Sequence, residues 1–115
     1  MRAVTFAVLL IFLLPSFAAL AESPTPPFDL KDPAIIRKGR AFFNTRCNGY
    51  CHGRDARQGL DGPTLRGRYY FTPAYIYLTV VNGRPGTAMP PWKGRISEEE
   101  IWLAAAFLMS LQDGD

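Results

Sequence analysis

Cys47-Asn48-Gly49-Tyr50-Cys51-His52 holds both cysteines and the only histidine of the 115-residue chain. Two thiols close in sequence, with an imidazole directly after the second, form the arrangement that attaches a haem through its vinyl groups and gives the iron a proximal nitrogen. The usual attachment motif places two residues between the cysteines; here there are three, Asn48, Gly49 and Tyr50. Two other readings stand beside haem. A Cys47–Cys51 disulfide is chemically sensible in an exported domain and needs no cofactor. Zinc is the weakest, because a closed structural site takes four ligands and this cluster offers three.

Toward the N-terminus, residues 1–21 read as a signal peptide. Arg2 supplies the positive start, Ala3 to Leu14 is apolar apart from Thr5, Pro15-Ser16 breaks the run, and Ala19-Leu20-Ala21 is a small-x-small site with cleavage expected after Ala21. An uncleaved membrane anchor is the alternative, since Ala3 to Leu20 is near the minimum length of a span. Export suits haem attachment and a disulfide alike. Residues 22–31, with Pro24, Pro26 and Pro27, form an extended linker, and residues 32–115 make one domain.

Asp32-Pro33 is a helix start, a capping carboxylate followed by a proline where its missing N–H costs nothing. Ile35, Gly39 and Phe42 or Phe43 then recur at helical spacing to about Thr45. A glycine inside a helix costs about 1 kcal/mol relative to alanine, so Gly39 implies close approach of another helix. Its partner is the run Ile101 to Leu111, which opens with the capping box Ser97/Glu100; Ala104 and Ala105 offer the small surface. Between these helices the chain is rich in glycine and proline. Tyr75 to Val81 has strand-like composition, but Thr72-Pro73 before it and Asn82-Gly83 after it predict a helix. No internal repeat, Gly-rich phosphate loop or catalytic triad is present, and nothing points to nucleic acid or to a small-molecule substrate.

Jointly, these residues resemble the class I, single-haem c-type cytochromes over about Asp32 to Leu111. Gly39 and Phe43 stand eight and four residues before Cys47, similar to the glycine and aromatic of that family's first helix. Gly62-Pro63-Thr64-Leu65 resembles the segment whose proline carbonyl accepts a hydrogen bond from the proximal histidine. Gly86-Thr87-Ala88-Met89-Pro90 resembles the loop that carries a methionine ligand, and Phe107-Leu108 the aromatic-leucine pair of the last helix.

The resemblance implies an all-α, cytochrome c-like fold, its N- and C-terminal helices crossing and a loop-rich middle enclosing one haem c. It implies covalent attachment at Cys47 and Cys51, with Gly49 letting the longer loop bulge, and axial ligation by His52 and Met89. Ligand arithmetic agrees: with no second histidine the sixth ligand is methionine, water or something weaker, and with Met1 in the signal peptide and Met109 in the apolar last helix, Met89 is the candidate, a gap-filling core methionine being its alternative. A thioether there leaves no open coordination position, which argues for electron transfer and against catalysis. Pro63 is expected to hold the histidine's other nitrogen. Leu65, Phe43, Ile76, Val80 and Leu108 are the expected pocket wall, and Trp92 or Tyr69, Tyr70, Tyr75 or Tyr77 a partner for a propionate.

The formal net charge is +3, unevenly spread. Arg46, Arg54, Arg57, Arg66, Arg68, Arg84, Lys93 and Arg95 face only Asp55 and Asp61 in that stretch, so a basic ring round the haem edge, steering acidic redox partners, is expected. The implied role is a periplasmic electron carrier, a free shuttle or the haem subunit of a dehydrogenase, meeting membranes only through partners. A haem enzyme or gas sensor, and a haem-free disulfide-linked interaction module, are the competing readings.

Overall fold

Helix α1 spans Pro33–Arg46, and its start is set by Asp32, whose carboxylate accepts a hydrogen bond from the Ala34 N–H at 2.8 Å. The computed structural model describes residues 3, 16, 18–59 and 61–113, so the signal-peptide expectation over 1–21 lies almost wholly outside the described residues. Residues 22–31 form no helix, and among the described residues no helix is long and apolar enough to cross a membrane.

Helix α2 spans Pro73–Asn82 and helix α3 Glu98–Ser110. The β-branched and aromatic content of Tyr75 to Val81 does not prevail, because both ends are fixed for a helix: Thr72 Oγ1 accepts from the Tyr75 N–H at 3.1 Å, and Gly83 stops the winding at φ 64°. At α3 the capping box forms in both directions, Glu100 N–H to Ser97 Oγ at 3.1 Å and Ser97 N–H to the Glu100 carboxylate at 2.8 Å. The only other pairing among the described residues is an isolated bridge between Lys93 and Ile96.

Helices α1 and α3 cross at Gly39. A Cβ added there would lie 2.0 Å from the Leu103 carbonyl oxygen and 3.2 Å from Phe107 Cβ, so the two backbones meet directly. Beside the expected small surface of Ala104 and Ala105, the atoms nearest Gly39 belong to Leu103 and Phe107. These two are four residues apart and share one helix face, whereas each step along a helix turns the side chain by about 100°. Ala105 is instead in the core and Ala104 faces a cavity. Because α3 is apolar on every side, its other faces are also covered: Trp102 stacks on Tyr77 of α2, centroids 4.5 Å apart, and the Tyr77 hydroxyl donates to the Glu98 carboxylate at 2.6 Å.

Candidate haem site

A cavity of about 380 Å³ opens in the middle of the chain, within the size range of cofactor sites. Cys47, Cys51, His52 and Met89 all line it. So do Phe43, Leu65, Ile76, Val80 and Leu108, the five residues expected as wall, and Pro63 and Trp92. Tyr70, Phe71 and Tyr75 complete its aromatic side; their rings meet edge-on at Tyr70–Phe71 and Tyr70–Tyr75, 5.2 and 5.7 Å between centroids.

Cys47 is delivered by the end of α1, where its N–H still bonds to the Phe43 carbonyl at 2.8 Å. From there the chain makes a wider, π-type turn over Asn48–His52, closed by the His52 N–H on the Cys47 carbonyl at 3.2 Å. An i→i+5 bond takes up one residue more than an ordinary helical turn, which is how the three-residue spacer is accommodated. Cys47 is half-buried and Cys51 exposed, and no disulfide joins them. Burial, and then the neighbouring Cys51, push the Cys47 thiol up to about 11.

The His52 ring stands 6.2 Å from Phe43, tilted by 40°. Burial lowers its pKa and so favours the neutral imidazole that a metal requires, with the Pro63 backbone acting in the opposite sense. The Pro63 carbonyl is thus beside the imidazole without meeting strict hydrogen-bond geometry. Nδ1 remains the one buried side-chain nitrogen or oxygen among the described residues with no partner. Gly62 is the reason the strand of chain bearing Pro63 can come so near: a Cβ on it would lie 2.4 Å from the Cys51 carbonyl oxygen and 2.9 Å from His52 Nδ1.

Met89 is half-buried in a loop pinned at both ends, by the Arg84 N–H on the Met89 carbonyl at 3.1 Å and the Trp92 N–H on the Val80 carbonyl at 3.0 Å. Met109 packs against the core and does not line the cavity. Tyr77 is committed to α3, and Tyr69, 95% exposed, is off the cavity, leaving Tyr70, Tyr75 and Trp92 of the expected propionate partners. The basic ring is smaller than expected. Arg46, Arg68 and Arg84 line the cavity together with Asp61, whereas Arg66 turns away and donates Nε to the Asp55 carbonyl at 3.1 Å.

A polar clamp that the sequence does not announce holds the turn after His52. Asn44 Nδ2 donates to Asp55 Oδ1 and the Asp55 N–H to Asn44 Oδ1, both at 2.8 Å, while Arg40 donates Nε and Nη2 to the two carboxylate oxygens at 2.8 Å each. Arg40, and then Asn44, hold the Asp55 carboxyl well below the usual carboxylate range. Downstream, Gln112 Nε2 donates to the Leu65 carbonyl at 2.8 Å, tying the cavity wall to the end of α3. No spacing signals these pairs, because the partners are 11 to 47 residues apart.

The residues fit a haem: two thiols and a neutral imidazole at one wall, a thioether in the same cavity, and an apolar, aromatic lining between. The family model described as cytochrome c oxidase, cbb3-type, subunit III matches residues 34–108. Cytochrome c55X of Pseudomonas aeruginosa is 43% identical over 61 residues, covering 48% of either chain. Cytochrome c55X of Stutzerimonas stutzeri is 39% identical over 54 residues, 46% of this chain and 48% of that protein. The chain thus spans about half the length of the curated relatives it matches. Cytochrome CL of Methylophaga aminisulfidivorans superposes with a TM-score of 0.62 at 28% identity, over 72% of this chain and 59% of that one. A chain of the Kuenenia stuttgartiensis reducing HAO-like protein complex gives 0.58 at 24% identity, over 78% and 51%, a likeness of fold alone.

Proposed function

The chain belongs to the cbb3-type cytochrome c oxidase subunit III family of c-type cytochromes, with covalently bound haem c as its cofactor, and from that premise we propose that it is an exported carrier of single electrons. The observation that carries this reading is that Cys47, Cys51, His52 and Met89 line one apolar cavity. In it, Cys47 and Cys51 would hold the haem covalently through their sulfurs, and His52 and Met89 would supply the nitrogen and thioether sulfur that bind its iron. When bound, the haem supplies reversible one-electron oxidation and reduction. The polypeptide does the rest. Met89 would give the iron a thioether, a ligand that favours the reduced state and raises the potential. The Pro63 carbonyl would accept a hydrogen bond from His52 Nδ1–H, fixing the imidazole and tuning its basicity. Leu65, Trp92 and the aromatic wall keep water from the macrocycle.

Residues 1–21 direct export to the periplasm and are removed after Ala21. The partners are redox proteins whose docking faces are acidic, met by Arg46, Arg68 and Arg84 at the cavity.

Two measurements test the reading. Protein from cells competent in haem attachment should give a haem-staining band on a denaturing gel, and a colourless band defeats the cofactor assignment at these cysteines. Met89→Ala should lower the potential and let carbon monoxide bind the reduced form; an unaltered spectrum of the oxidised variant removes Met89 from the iron.

A further inference from the structure

A second concavity, of about 330 Å³, shares no lining residue with the haem cavity. Four arginines converge on it from three parts of the chain: Arg37 and Arg40 from α1, Arg57 from the turn after the haem motif, and Arg66. Asp55 is the one carboxylate of the lining, and it is already taken up by Arg40 on both oxygens and by Asn44 on one. Arg66 is aimed by its bond to the Asp55 carbonyl. Arg37 and Arg57 make no side-chain hydrogen bond or ion pair among the described residues. The charge gathered here therefore exceeds what the polypeptide neutralises.

A solvated face would be expected to splay such charges apart. Here the turn that presents Arg57 is instead held in a conformation L-residues rarely adopt, with Asp55 at φ 56° and Ala56 at φ 57°. Such backbone is strained and persists only when its surroundings impose it, as the Asn44 clamp does. Guanidinium forks match the oxygens of phosphate, and several around one concavity suit a dianion. Ile36, Phe107 and Leu111 form the apolar part of the wall, so an anion carrying a hydrocarbon substituent also fits.

We infer that this groove binds a phosphate-type oxoanion, as free phosphate or as the headgroup of an anionic lipid. The inference is independent of the iron ligands, and either can fail without the other. Calorimetric titration of the holoprotein with inorganic phosphate, at constant ionic strength, should give saturable binding. Arg37→Ala combined with Arg57→Ala should weaken it about tenfold or more, since two of the four guanidiniums that face the anion are removed. Arg84→Ala, at the haem cavity, should leave it unchanged, and an unaltered haem spectrum checks that the double variant is folded. Vesicles of phosphatidylglycerol and of phosphatidylcholine identify the source. Binding to the former alone that is competed by phosphate and lost in the double variant assigns a lipid headgroup, and no vesicle binding assigns a soluble anion. Non-saturable phosphate binding, or equal weakening by Arg84→Ala, overturns the site.

Discussion

The crossing of α1 on α3 and the segment from Cys47 to Met89 are held together in different ways. At the crossing, backbone touches backbone at Gly39, the centroids of the Phe43 and Phe107 rings are 5.4 Å apart, and Ile101, Trp102, Ala105, Ala106 and Phe107 are buried. In the middle segment regular structure is sparse. Polar clamps fix the chain at intervals, at Asn44–Asp55, at Thr64 Oγ1 on the Ala56 carbonyl and at Gln112 on Leu65, and between them lies an apolar cavity. A shell lined with apolar side chains but lacking contents forgoes their dispersion contacts and burial. The difference teaches that the helix pair can hold its shape by its own packing, while the middle needs a body the polypeptide does not contain.

The largest effect should come from preventing attachment. In Cys47→Ala with Cys51→Ala, haem staining should vanish, and amides between 47 and 92 should exchange fast while those in α1 and α3 keep measurable protection. Equal loss of protection in both regions would break the contrast. Next, Gly39→Ala pushes a methyl to within 2.0 Å of the Leu103 carbonyl oxygen, and should cost about 1–3 kcal/mol in denaturant unfolding of the holoprotein. Because the strain lies at the crossing, the haem spectrum should change less than the stability.

A smaller effect belongs to the clamp. The folded pKa of Asp55 lies below its unfolded value of about 3.9, so its contribution is fully present above that value and is lost as pH falls through the folded pKa. Stability should decline from about pH 5 downward, and Asp55→Asn should flatten that decline while lowering stability at pH 7. An unchanged acid limb would remove Asp55 from the forces that hold the middle segment. Smallest is the effect of the cavity rim on encounter rates. Oxidation of the reduced protein by ferricyanide, an anion, should slow as salt is added, and Arg84→Ala should slow it a few-fold at low salt while Arg57→Ala does so less. Equal responses would mean that net charge alone steers the oxidant.

Local signals account for much of what was legible. Asp32-Pro33, Thr72-Pro73 and Ser97 with Glu100 place three helix starts because a cap acts within one turn, and the structure has all three. The cysteine and histidine cluster and the two segments that follow it, Gly62 to Leu65 and Gly86 to Pro90, mark the cavity for the same reason, since each motif is contiguous. What pairs across the chain was not legible. That Leu103 and Phe107 come nearest to Gly39, that Asp55 is gripped by Arg40 and Asn44, and that Arg66 lines a groove with Arg37, Arg40 and Arg57 and not the haem cavity all depend on how distant parts of the chain pack. The sequence by itself determined the helices, their caps and the chemistry of the six-residue cluster, because these need only neighbours along the chain. Only the tertiary structure decided which basic side chains share a surface, because a guanidinium several bonds from its backbone takes its position from whatever the packing places opposite it.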